Sequence, residues 1–145
     1  MPNCRLDNWD KKCEAVLNKQ INLELWASYQ YLAMWNYFDK SSVGLKNIAQ
    51  FFKKSSEEES EHAQMLIEYQ NRRGGLVELY DIQKPSLDYL LSNSIDSDVS
   101  LSFQKAIEME QHVYKSLMNV HKTGEECNDP QFTDFIEGTF LNEQI

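Results

Sequence analysis

At 145 residues, with 41% apolar and 26% charged side chains, the chain is long enough for one real core and too ordinary in composition for wholesale disorder. A net charge of -9 weighs against a nucleic-acid partner, which clustered Lys and Arg would have to bind. No apolar run approaches the length of a membrane span, and the polar, acidic N-terminus is not a secretory signal. Cys4, Cys13 and Cys127 are odd in number and scattered, giving neither a zinc-type pair nor a disulfide framework, so a reducing compartment fits. The expectation is one domain over residues 1–145, soluble and cytoplasmic.

Only five Gly and three Pro interrupt the chain, which favours helices. The first helix is expected after Asp7 or Asn8, either of which can cap it, and runs to Asp39. Its inward stripe reads Cys13, Val16, Gln20, Glu24, Ala27, Tyr31, Met34 and Phe38. A short connection, Lys40 to Leu45 with Gly44 inside it, makes the second helix an antiparallel neighbour. That helix spans Lys46 to Arg73; Arg72 and Arg73 put positive charge in its last turn, and Gly74-Gly75 supply a left-handed cap.

From Gly75 to Asp98 no helical period holds. So long a stretch is reasonable if it travels the length of a bundle, and its apolar content places it against the bundle or another subunit. The third helix is read from Val99 to Glu125, with a stripe of Val99, Phe103, Ala106, Glu110, Val113, Leu117 and Val120. A loop from Gly124 to Asp129 follows, and Pro130 suits the first turn of a fourth helix, Gln131 to Ile145. Helices joined short, long, short describe an all-α four-helix bundle with one crossover.

Glu59 and His62 stand at i and i+3 on a seam otherwise built from Ile48, Phe52, Ser55, Leu66 and Tyr69. Glu24 and Glu110 likewise interrupt apolar seams near the middle of their helices. Mid-helix positions share a height in a bundle, so the three carboxylates and the imidazole can converge. Carboxylates brought together repel unless a cation neutralises them, and three oxygens with one nitrogen suit iron, manganese or zinc. Glu59, with His62 beside it, is best placed to bridge two ions. The plainer reading is a hydrated acidic face with one satisfied histidine; three carboxylates all at mid-helix weigh against it. On spacing alone, Tyr31 is a core residue within reach of the site and Gln144 a helix surface residue.

The stretches from Gln20 to Tyr29 (QINLELWASY), Glu58 to Ala63 (EESEHA), Asn71 to Gly75 (NRRGG), Asp134 to Glu137 (DFIE) and Leu141 to Gln144 (LNEQ) resemble animal heavy-chain ferritin, in that family's order. The likeness covers nearly the whole chain apart from about Ser86 to Ser102. It implies a ferroxidase centre of Glu24, Glu59, His62 and Glu110, with Glu58 and Gln144 as polar neighbours and Tyr31 adjacent. Two iron ions per subunit would be oxidised there from Fe(II) to Fe(III) by dioxygen and passed to a ferric mineral. The resemblance further implies a hollow 24-subunit cage, with Asp134 and Glu137 lining three-fold channels and His121 near their entrance. Glu58 and Glu61 match inner-surface acids tied to mineral growth, where Gln64 departs from the pattern. Related di-iron oxygenases carry a second Glu-x-x-His; Glu110 is followed here by Gln111, His112 and Val113, which favours ferritin.

Two departures stand out. The connection between the second and third helices is longer than in vertebrate heavy chains, where it lies at a two-fold subunit interface. The sequence also stops at Ile145, so the expected bundle has a truncated fourth helix and lacks the family's fifth. The alternative function is a structural or iron-sequestering subunit that does not oxidise iron, and a remoter one is a small bundle whose exposed seam binds a partner.

Overall fold

Asp10 caps the first helix, its carboxylate accepting from the Lys12 amide at 2.7 Å. The computed structural model describes residues 8–90 and 94–142, so Asp7, Cys4 and Gln144 lie outside the described residues. The cap falls later than Asn8 because Trp9 is claimed by the core. Its ring meets Phe132 edge-on at 5.0 Å and Tyr69 at 5.9 Å, and the chain turns helical only after that anchor is set. From there α1 runs Lys11–Asp39, about 44 Å at 1.5 Å per residue.

After a tight turn, α2 runs Lys46–Arg72 antiparallel to α1, and the two form the most extensive helix pair. Arg72 lies in the last turn as expected, whereas Arg73 is the cap itself and is buried. Gly74 takes the left-handed conformation at φ 76°. Gly75 does not; its need is space, since a Cβ there would sit 2.2 Å from Gln70 Oε1 and 2.7 Å from Trp9 Nε1.

The crossover has no regular structure over residues 75–90 and lies along α1. Asn18 and Gln30, buried on α1, bind its backbone: Asn18 Nδ2 donates to the Leu76 carbonyl at 3.0 Å, and Gln30 Nε2 to the Ser86 carbonyl at 2.7 Å. These amides satisfy peptide groups that a helix or sheet would otherwise have paired. The next helix, α3, runs Ile95–Glu126 and is capped by Ser94. It begins a turn before Val99 because Asp98 turns inward to accept from Tyr37 Oη at 2.6 Å. It also continues through Gly124 rather than looping there. Gly124 is buried, and a Cβ on it would meet Thr133 at 2.9 Å and Phe132 at 3.0 Å, so its bareness lets the fourth helix close in.

Asn128, at φ 55°, makes the turn into α4, Pro130–Ile136, with proline at its start. The helix then widens into a π-helical segment, Glu137–Leu141, that seats Phe140 in the core. The expected uninterrupted α-helix from Gln131 to Ile145 is thus seven residues of α-helix and a π-turn, with residues 143–145 outside the description. Four helices around one seam, with a single crossover, give a ferritin-like bundle. No strand occurs among the described residues.

Candidate metal centre

Halfway along α1 and α2 the apolar seam gives way to charge. Glu24 is fully buried and Glu59 is 4% exposed. With His62 they offer two carboxylate oxygens and an imidazole nitrogen, all within 4.8 Å of one another. His62 Nδ1 stands 3.7 Å from Glu59 Oε2 and 3.9 Å from Glu24 Oε2. The helical repeat does this placing: Glu59 and His62 are one turn apart on α2, and Glu24 follows Gln20 by one turn on α1.

Neither Glu24 Oε2 nor Glu59 Oε2 has a hydrogen-bond partner among the described residues. Buried polar atoms are rarely left so; Asp98 Oδ1 is another, but only here, among the described residues, do two such carboxylate oxygens gather beside an imidazole, a donor set that suits a cation. Burial, and then the neighbouring Glu59, raise the Glu24 carboxyl from the usual 4.5 to about 10. Burial also opposes charge on Glu59, but the His62 imidazole and the Glu24 carboxyl beside it outweigh that and hold Glu59 below its usual value.

Glu110, from α3, reaches the same region but stands outside the three-residue cluster. Tyr31 Oη donates to Glu110 Oε1 at 2.8 Å. Burial and then the Glu59 charge raise the Glu110 carboxyl, and burial followed by Glu110 raises the Tyr31 phenol. Glu110, Glu59, His62 and Tyr31 line an open cleft of 820 Å³ between α2 and α3, with Glu58 and Glu61 exposed at its edge. Phe140 stands edge-on to His62 with ring centroids 5.7 Å apart, closing the far side with an apolar ring.

The remaining candidates lie apart. His121 Nε2 meets Glu137 Oε1 at 2.5 Å and His121 Nδ1 meets Glu125 Oε1 at 3.1 Å, on the surface where α3 faces the π-turn. Asp134 is exposed one turn before Glu137. Glu125 was not among the sequence candidates, although its i+4 spacing from His121 was legible. Gln20 and Ser116 were missed as well. Gln20 Nε2 donates to Glu24 Oε1 at 3.1 Å, and the Ser116 hydroxyl donates to Gln20 Oε1 at 2.6 Å. The signal for Gln20 was an amide on an apolar stripe, one turn from a carboxylate.

A model of the Ferritin-like domain matches residues 14–145. The chain belongs to the ferritin family. It is 42% identical over 138 residues to the ferritin middle subunit of Aquarana catesbeiana, covering 95% of this chain and 75% of that protein. Chloroplastic ferritin of Malus baccata var. xiaojinensis is 44% identical over 138 residues, 95% of this chain and 54% of its own length. Chloroplastic ferritin-1 of Brassica napus is 45% identical over 132 residues, 91% of this chain and 51% of its own. The chain thus spans three quarters of the first relative and about half of the other two. Ferritin membership supports iron storage and ferroxidase function, iron as the metal, and assembly into an oligomeric cage. No helix among the described residues is long and apolar enough to cross a membrane.

Proposed function

We propose that this chain, as one ferritin-like domain, oxidises Fe(II) at Glu24, Glu59, His62 and Glu110. Two ferrous ions enter through the cleft edged by Glu58 and Glu61. Glu24 and His62 hold one, Glu110 holds the other, and Glu59 bridges them. Each ion gives up one electron, dioxygen takes the pair with two protons and leaves as hydrogen peroxide, and ferric iron moves on toward a mineral. The helices supply fixed ligands in a largely dry setting, so little reorganises as the charge on the metal rises. Tyr31 holds Glu110 in place, and Gln144 is proposed as a further polar neighbour. Asp134, Glu137 and His121 draw iron inward through channels of a 24-subunit shell, which works in the cytoplasm.

The observation that carries this reading is the pair of buried, unpartnered oxygens, Glu24 Oε2 and Glu59 Oε2, facing one imidazole nitrogen. The test is fast aerobic Fe(II) oxidation, followed optically, in the parent and in Glu24→Ala/His62→Ala. A rapid phase seen only in the parent supports the centre; equal traces refute it.

One feature favours a second reading. Glu110 is bound to Tyr31 and stands outside the Glu24–Glu59–His62 cluster, which leaves three ligands for a single ion. Such a subunit would sequester iron without oxidising it. Anaerobic Fe(II) titration separates the two, with two equivalents per chain for the oxidising centre and one for the sequestering site.

A further inference from the structure

Gln20 is fully buried, and both ends of its amide are engaged. The nitrogen end donates to Glu24 Oε1 at 3.1 Å, one turn along α1. The oxygen end accepts from the Ser116 hydroxyl at 2.6 Å, across the interface with α3. An amide can be turned end for end at no steric cost, but its two ends are chemically opposite. Turned the other way, Gln20 would set an oxygen against a carboxylate. The carboxylate, which can only accept, sets the direction in which the nitrogen faces Glu24, and the Ser116 hydroxyl, giving its proton to the oxygen end, anchors the amide there.

The consequence falls on Glu24. Its Oε1 is taken by the amide, while Oε2, buried and unpartnered, is the oxygen that faces His62 Nδ1. We infer that Gln20, anchored at its far end by Ser116, is a positioning residue that makes Glu24 a one-oxygen iron ligand. This rests on the reading of Glu24 as a ligand. It adds that the number of oxygens Glu24 presents is set by a residue that never touches the metal. A carboxylate freed of this bond can swing to chelate through both oxygens, and the metal loses the geometry the helices built for it. Outer partners of metal ligands commonly change affinity by about 10- to 100-fold when removed.

The probe is Co(II), which is stable in air and whose visible absorption reports ligand number and geometry. The full chain is titrated as parent, Glu24→Ala, Gln20→Leu, Ser116→Ala and Ser116→Thr. Gln20→Leu fills the same space without the amide and is expected to bind Co(II) about tenfold more weakly, with a shifted band. Ser116→Ala is expected to move both readouts the same way by less, and Ser116→Thr, which keeps the hydroxyl, to restore them. Folded Gln20→Leu and Ser116→Ala with the parent's affinity and band overturn the inference while leaving Glu24 as a ligand. Should Gln20→Leu fail to fold, Ser116→Ala, which loses only one half-buried hydroxyl, decides alone. A parent whose Co(II) binding is indifferent to Glu24→Ala overturns the ligand reading itself, and the relay with it.

Discussion

Two clusters of buried charge lie along this bundle, and they are built on opposite logic. Near one end, Arg73 is paired with Asp129 in a two-pronged contact, Nη2 to Oδ2 at 2.6 Å and Nη1 to Oδ1 at 3.2 Å. Tyr69 Oη accepts from Nη1 at 2.7 Å, and the guanidinium lies over the Trp9 ring at 4.4 Å. Asp129 also caps α4 by accepting from the Phe132 amide at 3.0 Å. One nitrogen, Nε, lacks a hydrogen-bond partner. Opposite charges neutralise one another there, and the contact joins the end of α2 to the start of α4. At mid-bundle, by contrast, two acids, Glu24 and Glu59, crowd together and keep two oxygens without partners. The first cluster balances its charge without a guest. The second has room for a cation between its acids, and on the proposed reading that difference separates a structural charge from a functional one.

The contrast can be broken most sharply at the paired end. Asp129→Ala leaves Arg73 buried without its counter-charge and should destabilise the protein by about 3–5 kcal/mol, read by denaturant unfolding of the metal-free chain. At mid-bundle the same kind of deletion should act in the other direction. Glu24→Gln removes one of two crowded acids and should stabilise the metal-free protein by about 1 kcal/mol, while abolishing the rapid phase of iron oxidation. Thermal unfolding and oxidation on one preparation check both halves.

The acids also give a pH signature. Because the folded chain holds the Glu24 proton up to about 10 against a usual 4.5, it binds more protons than the unfolded chain across that window. The stability this lends is fully present below about 4.5 and is lost as pH rises toward 10. Glu59, held below its usual value, acts oppositely, its share present above that value and lost in acid. Unfolding temperature without metal should therefore fall with rising pH in the parent, and more gently in Glu24→Gln. The smallest effect is expected at the surface. His121→Ala removes contacts to Glu125 and Glu137 that are open to water and should cost no more than about 1 kcal/mol in denaturant unfolding.

Much of this was legible in the sequence because helical periodicity alone carries it. Glu24, Glu59 and His62 fall on apolar stripes, and a stripe is a statement about one face. The crossover, too rich in leucine and tyrosine to hang free, lies along α1 as its composition suggested. What was hidden depended on partners distant in sequence. Asn8 and Asp10 are comparable caps by residue type, and only the burial of Trp9 against α2 and α4 chooses between them. On α3 the expected inward residues Val99, Phe103 and Glu110 are half-buried, while Asp98, Ser102 and Met109 turn further in. Tyr37 bonds Asp98 Oδ2, leaving Oδ1 without a partner among the described residues, and Tyr89 bonds Ser102 at 3.1 Å. Arg73 looked like helix-end charge because its partner is 56 residues away.

The most direct test is the structure of the chain after anaerobic exposure to Fe(II). Iron at bonding distance from Glu24 Oε2, Glu59 and His62 Nδ1, with a second ion reaching Glu110, is the predicted result. Iron bound only at surface carboxylates, with the Glu24–Glu59–His62 cluster unchanged, would contradict the account.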